Sequence, residues 1–339
     1  MKAAVYHGPK DIRIEEVELR KPKEDEVCIK IKYCGVCGTD IHIYEGDSGA
    51  FAVNPPLIPG HEFAGVVEAV GDAVEYLKVG DKVSGDPNIM CGRCYFCRNG
   101  MEHFCENVTG VGTTADGGFA QYTVMKASHA YKLPENIDLM TAAMAEPMSC
   151  CIHGIDLCEI KQGSTVLVIG AGPIGVIMLQ LAKLSGAAKL IVSEPVKEKR
   201  ELALELGADL VIDPINEDIE KILSEYTKNL DCVIECAGSK RTQEQAVKLA
   251  GKFARVIFFG LTSPETEISI KPDDIFKKEL TIRSSFINPY TFSRAIDTLA
   301  SGSVDVKSII TNVVKLEDIK EVFKDPEYRR SGKVMISME

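Results

Sequence analysis

The chain has 339 residues, long for one domain, and its 45% hydrophobic and 26% charged residues are the balance of a globular protein with material for full cores. A net charge of −11 with no long Lys/Arg block excludes a nucleic-acid binder, which needs a basic face for phosphates. The N-terminus has no signal-like apolar stretch, and the longest apolar run, Ile174 to Leu184, is short and broken by Gln180 and Lys183; no membrane association and a cytoplasmic location are expected.

Residues 1 to about 150 read as β-rich. Val27 to Tyr33, Ala64 to Val70 and Ala120 to Met125 are β-prone runs separated by Gly, Pro and Asp. Val79-Gly80-Asp81-Lys82-Val83 predicts a tight turn feeding another strand. Such a half is an irregular barrel or sandwich. Near residue 165 the pattern changes. Thr165 to Ile169 is a fully apolar strand, followed by the turn Gly170 to Gly175 and a helix to Ser185. Strand Lys189 to Ser193 and helix Val196 to Leu206 come next; Lys197, Lys199 and Arg200 alternate with acids as on a solvated helix face. Leu210 to Ile212, Leu230 to Glu235, Ala254 to Phe259 and Leu280 to Ser285 continue the alternation, which predicts a parallel sheet covered on both faces. A helix Thr291 to Ala300 and a strand Lys333 to Met338 form a tail expected to pack back on the first half.

Three constellations carry chemistry. Gly170-x-Gly172-x-x-Gly175 sits between a strand and a helix, the context in which glycines let a pyrophosphate approach the backbone. Glu194, at the end of the second strand, stands where an acid meets the adenosine ribose and repels a 2′-phosphate, favouring NAD over NADP. Cys91-x2-Cys94-x2-Cys97-x7-Cys105 supplies four thiolates, enough to close a structural zinc site. The third set is dispersed. Cys37-Gly38-Thr39-Asp40-Ile41-His42, Gly60-His61-Glu62 and Glu146 offer a thiolate, imidazoles and carboxylates, a set that leaves a zinc position open for substrate. Taken singly, Cys37 or His61 is more often a packed residue than a ligand. The cysteines at 28, 34, 150, 151, 158, 232 and 236 read as small buried hydrophobes.

These motifs, in this order, resemble the zinc-containing medium-chain dehydrogenase/reductase family over essentially the whole chain. Glu146-Pro147 followed by Ile152-His153 is similar to the sorbitol (polyol) dehydrogenase branch, while Cys37 to Glu45 also looks like threonine and butanediol dehydrogenases. The resemblance implies an α/β plus β-rich chain: a barrel-like (GroES-like) catalytic domain over 1–150 and 287–339, and a Rossmann doubly wound NAD-binding domain over 151–286. It implies two zincs per chain, a small-molecule alcohol as substrate and a homodimer or homotetramer. Cys37, His61 and Glu146 would hold the catalytic zinc, with Glu62 as a neighbouring or exchanging carboxylate and Asp40 orienting His61. Thr39 and His42 would relay the proton. Gly170, Gly172, Pro173, Ile174, Gly175, Glu194, Gly260, Ser285 and Phe286 would bind NAD, and Tyr44, Phe51, Phe119 and Asn288 would face the substrate. One departure stands out: Ile287-Asn288-Pro289-Tyr290 follows Phe286 where sorbitol dehydrogenases often carry Arg-Tyr, which argues against sorbitol itself. A non-catalytic NAD-binding redox sensor is the reading from another class, and the joint presence of Cys37, His61 and Glu146 opposes it.

Overall fold

A computed structural model of the chain describes residues 1–47 and 52–339. It comprises two compact units: residues 1–149, 288–302 and 306–339, and residues 150–287 and 303–305. Phe51 lies outside the described residues.

The first unit is organised by one strand, Glu26–Gly35. It pairs antiparallel with Tyr122–Lys126 near its start, with Lys333–Ser337 near its end, and with Glu62–Val70 along most of its length. Register shifts between Cys28 and Ile29 and between Ile31 and Tyr33 mark bulges, which bend a strand and strengthen its twist. That bend lets one strand serve three partners and gives the sheet its barrel-like curl. Val27, Ile29 and Ile31 enter the core with Phe63, Val67, Val83 and Phe119. From the tail, Lys333–Ser337 adds to this unit's sheet. The hairpin Lys2–Gly8 with Asp11–Glu16 was not legible, because Asp11-Ile-Arg-Ile-Glu-Glu16 is mostly charged.

The turn before Lys82–Gly85 has its glycine, Gly80, at φ 92°. Asp81 closes it: Oδ2 accepts from the Lys78 amide at 3.0 Å, and Oδ1 meets Lys132 Nζ at 2.8 Å. The Lys132 hydrogen bond, helped by the Lys78 amide and opposed by desolvation, holds the Asp81 carboxyl below its usual value. A depressed folded-state pKa stabilises above the unfolded-chain value and is lost as pH falls through the folded one. Asp81→Asn is therefore expected to lower Tm by roughly 2 °C at neutral pH and to make little difference in strong acid. Thermal melts against pH check this; a loss independent of pH would assign the effect to packing instead.

The second unit is a six-stranded parallel sheet. Its order is Leu210–Ile212, Lys189–Ser193, Thr165–Ile169, Cys232–Glu235, Arg255–Phe258, Thr281–Ser284. Every residue of Thr165–Ile169 is buried, as a central strand covered on both faces requires. The strand order reverses beside it, the switch point at which doubly wound sheets bind ligands. All six strands coincide with the runs read from the sequence. Gln180, the polar break in the apolar run, is buried and bonded to backbone: Oε1 accepts from Asp305 N–H at 2.7 Å, and Nε2 donates to Asp305 C=O at 3.0 Å and to Val176 C=O at 3.3 Å. The Asp305 pair anchors the short return 303–305. The helix Ala145–Cys158 was not recognised in the sequence, since Ala145, Met148, Cys151, Ile152, Ile155 and Cys158 are buried on a segment whose cysteines and glycine blur its periodicity. No helix among the described residues is long and apolar enough to cross a membrane.

Candidate metal and dinucleotide sites

Strand register assembles the first site. Gly35 pairs with Glu62, so Cys37, just past the end of one strand, meets His61, just before the start of the other. Cys37 also caps the helix Gly38–Glu45. The ligand atoms of Cys37, His61 and Glu62 lie within 4.8 Å of one another. His61 and Glu62 are buried and Cys37 half-buried. Asp40 links two of them: Oδ2 accepts from the Cys37 amide at 2.8 Å, and Oδ1 faces His61 Nδ1 at 3.4 Å. Burial pulls the His61 imidazole down, but the charges of Asp40 and Cys37 outweigh burial and raise it well above its usual value. The group thus draws positive charge into a buried place. A divalent cation satisfies the same anions with a neutral imidazole as ligand, and a soft thiolate with imidazole and carboxylate suits zinc.

Glu146 is buried in the first turn of Ala145–Cys158; it is not one of the three grouped residues, but its charge acts on Lys333 and Asp86. Thr39 and His42 lie three residues apart on Gly38–Glu45, neighbours on one helix face. His42 is 42% exposed, with Nδ1 3.6 Å from the Asp47 carboxylate. Sequence reasoning missed Lys333. It is buried, and both oxygens of Glu62 contact its ammonium. Burial lowers the Lys333 pKa, yet Glu62 and then Cys37 raise it overall, so the ammonium stays charged. The only signal available was a lysine opening an apolar strand.

Three residues expected to face substrate are corrected. Tyr44 and Phe119 are core residues, 4% and 0% exposed, both packed on Phe323 with ring centroids 5.2 and 6.1 Å away. Asn288 is buried with its amide fully engaged: Nδ2 donates to Asp86 and Ser149, and Oδ1 accepts from Asn88 at 2.7 Å. It ties loops together, and each of its polar atoms already has a protein partner. The partly desolvated Asp86 carboxyl in that network is pushed up to about 7.

The four cysteines converge, their sulfurs within 4.8 Å of one another. The Arg93 and Cys94 amides pull the Cys91 thiol down to about 6, while desolvation and the Cys94 and Cys105 sulfurs push Cys97 up to about 12. Four sulfurs this close together form one centre, and a zinc ion would hold all four as thiolates. The short helix Tyr95–Arg98 buries no residue, so this lobe has little apolar core of its own. Cys97→Ser is expected to lower Tm by roughly 5–10 °C with a smaller effect on initial rates. Calorimetry beside kinetics checks this; an unchanged Tm would deny the lobe a structural metal.

In the second unit, Gly172 caps the helix Pro173–Leu184, whose first turn has no side-chain cap. With proline at the first helical position, the Ile174 and Gly175 amides are left as donors for an anion. Gly170 takes φ 96°, and a Cβ on Gly175 would stand 1.9 Å from the Gly170 carbonyl oxygen. Glu194 is buried, and its carboxylate braces the loop, accepting from Ala171 N–H at 2.7 Å and Val196 N–H at 2.9 Å. Gly260 abuts the Gly238 amide, and both adjoin Glu235, whose Oε1 accepts from Ala237 and Gly238 N–H at 2.8 Å. That brace was also missed in the sequence. Ser285 and half-buried Phe286 follow the last strand, and Ser285 Oγ is a buried hydroxyl without a hydrogen-bond partner.

Residues 23–135 match the alcohol dehydrogenase GroES-like domain, and residues 173–301 match the zinc-binding dehydrogenase domain. The chain is 37% identical to the L-threonine 3-dehydrogenase of Pyrococcus furiosus, over 96% of this chain and 94% of that one. It is 33% identical to D-arabinitol dehydrogenase 1 of Uromyces fabae, over 99% and 97%. A zinc-binding dehydrogenase from Sinorhizobium meliloti, solved bound to NADP, superposes with a TM-score of 0.95 at 36% identity, over 99% of this chain and 98% of that one. The chain belongs to the zinc-containing medium-chain alcohol dehydrogenases.

Proposed function

We propose that this enzyme oxidises a secondary alcohol of a small polyol and passes the hydride to NAD, with Cys37, His61 and Glu146 as ligands of its catalytic zinc. The observation that carries this is the convergence of Cys37, His61 and Glu62 at two paired strand ends. When bound, zinc supplies Lewis acidity that favours loss of the hydroxyl proton, and NAD accepts the hydride. The chain's own residues do the rest. Asp40 faces Nδ1 of His61, which would leave Nε2 as the ligand atom. Thr39 can accept the substrate proton through its hydroxyl, and His42, one helical turn on and partly exposed, can release it to solvent. The free amides at the start of Pro173–Leu184 receive the pyrophosphate, and Glu194 disfavours a 2′-phosphate.

The 37% identity to a threonine dehydrogenase favours a second reading, oxidation of the hydroxyl of an amino acid such as threonine. Initial rates of NAD reduction with pentitols, hexitols, a vicinal diol and threonine separate the two. Polyol turnover tenfold or more above threonine is expected; the reverse order would transfer the assignment to the second reading. The same rates with NADP test the role of Glu194, since its relative from Sinorhizobium meliloti holds NADP. The strand Thr281–Ser284 ends the sheet with two exposed termini, an edge that supports assembly as a homodimer or homotetramer. Twelve free cysteines support a cytoplasmic setting.

A further inference from the structure

The strand end at Glu194 carries a cation as well as an acid. Parallel register sets the place. Ser193 pairs with Ile212, and the Glu194 amide donates to the Ile212 carbonyl at 3.0 Å, so Glu194 and Asp213 leave neighbouring strand ends side by side. Arg200, on the helix Lys197–Glu205, folds back onto both ends. Its Nη1 donates to the Glu194 and Pro195 carbonyls at 2.8 and 2.7 Å, and its Nη2 stands 3.1 Å from Asp213 Oδ2. The two side chains are 17% and 14% exposed, held by the fold yet within reach of a ligand. Asp213 is itself fixed: Oδ2 accepts from Asn216 Nδ2 and Oδ1 from the Ile215 amide, both at 3.0 Å. The Asn216 and Ile215 bonds, helped by the Arg200 charge, outweigh desolvation and keep the Asp213 carboxyl below its usual value.

An arginine near this strand end can accommodate a 2′-phosphate, because its guanidinium matches two phosphate oxygens at once. Here the arginine is present, but its donors are turned onto two carbonyls and a carboxylate. We propose that Asp213 is a positioning residue for dinucleotide specificity: it holds the Arg200 guanidinium on the protein and so withholds from a 2′-phosphate the cation that would bind it. The inference rests on the reading that the adenosine ribose is received at Glu194. Glu194 alone is an incomplete filter. It repels a phosphate by charge, but an unrestrained arginine six residues further on would offset that repulsion. Asp213 neutralises the arginine and adds a second negative charge at the same strand ends. A 2′-phosphate must displace Asp213 before it gains an ion pair, whereas a 2′-hydroxyl displaces nothing. The discrimination is thus a cost laid on the wrong cofactor.

The test is direct binding, read by fluorescence titration with NADPH and NADH, beside steady-state kinetics on the same full-length enzyme. Asp213→Asn is expected to raise the NADPH-to-NADH affinity ratio about tenfold, the change falling on KM for NADP rather than on kcat. Asp213→Glu should keep the wild-type ratio, because the carboxylate is retained. Adding Arg200→Met to Asp213→Asn should abolish the gain. An Asp213→Asn ratio equal to wild type, or a gain that survives Arg200→Met, would overturn the proposal. If Asp213→Asn does not fold, Asp213→Ser, a smaller neutral acceptor, decides: a raised ratio supports the proposal and an unchanged one overturns it. Failure of the underlying reading is distinguishable. In that case Glu194→Ala would change neither NADH nor NADPH affinity, whereas failure of the inference alone leaves Glu194→Ala effective and Asp213→Asn silent.

Discussion

Cys37→Ser is expected to lower kcat/KM by about three orders of magnitude and to remove one of the two metals while the fold persists. The serine hydroxyl is neutral at working pH, so the metal position loses its only thiolate and its strongest donor. The local backbone has no reason to change. The bond that fixes this turn runs from the main-chain amide of residue 37 to Asp40 Oδ2, and serine keeps that amide. Serine is also a better helix cap than cysteine, so Gly38–Glu45 should form as before. Metal analysis, kinetics and a thermal melt on one preparation check the three parts together. Retained activity with both metals would take Cys37 out of the ligand set. Loss of activity with a collapsed Tm would reduce it to a structural residue.

The second large effect is on the dinucleotide side, and two glycines separate its causes. Gly175→Ala sets a Cβ 1.9 Å from the Gly170 carbonyl oxygen, a backbone atom that cannot give way without moving the strand–turn–helix unit. It is expected to weaken NADH binding at least about a hundredfold and to lower Tm, because helix and strand can no longer pack at contact. Gly172→Ala is the contrast. Nothing lies within 4 Å of its Cβ position, and it is absent from the residues with positive φ, so this chain should fold and melt like wild type. Its methyl group would nevertheless stand beside the free amides of Pro173–Leu184, and NADH affinity should fall about tenfold. Fluorescence titration with NADH reads both. A Gly172→Ala chain that binds as tightly as wild type would move the pyrophosphate away from this loop.

The second unit was legible because its signals are local. A buried parallel strand must be apolar throughout, and Thr165 to Ile169 has no other use for five such residues. The glycine loop and the four cysteines are equally local, their spacing being the chemistry. The first unit was harder. Glu26–Gly35 takes three partners through two bulges, and bulges have no clear sequence pattern. Long-range pairings were invisible. Lys333 meets Glu62 across 271 residues, and Asn288 meets Asn88 across 200. Tyr44 and Phe119 misled for a related reason: an aromatic near a motif lines a cavity in one fold and a core in another, and only the neighbour, here Phe323, decides. Glu194 was placed correctly along the chain, but its brace on the Ala171 amide becomes apparent only when the two strand ends are side by side.

The reaction assigned to this enzyme is direct hydride transfer from a carbinol carbon to NAD. It is tested by incubating the zinc enzyme with NAD and the best polyol of the rate panel carrying deuterium on its secondary carbons, then recovering the reduced cofactor for mass spectrometry. Deuterium is expected in the reduced nicotinamide with wild-type enzyme, and Cys37→Ser should yield almost none. Reduced cofactor free of label, or equal labelling by wild type and Cys37→Ser, would contradict it.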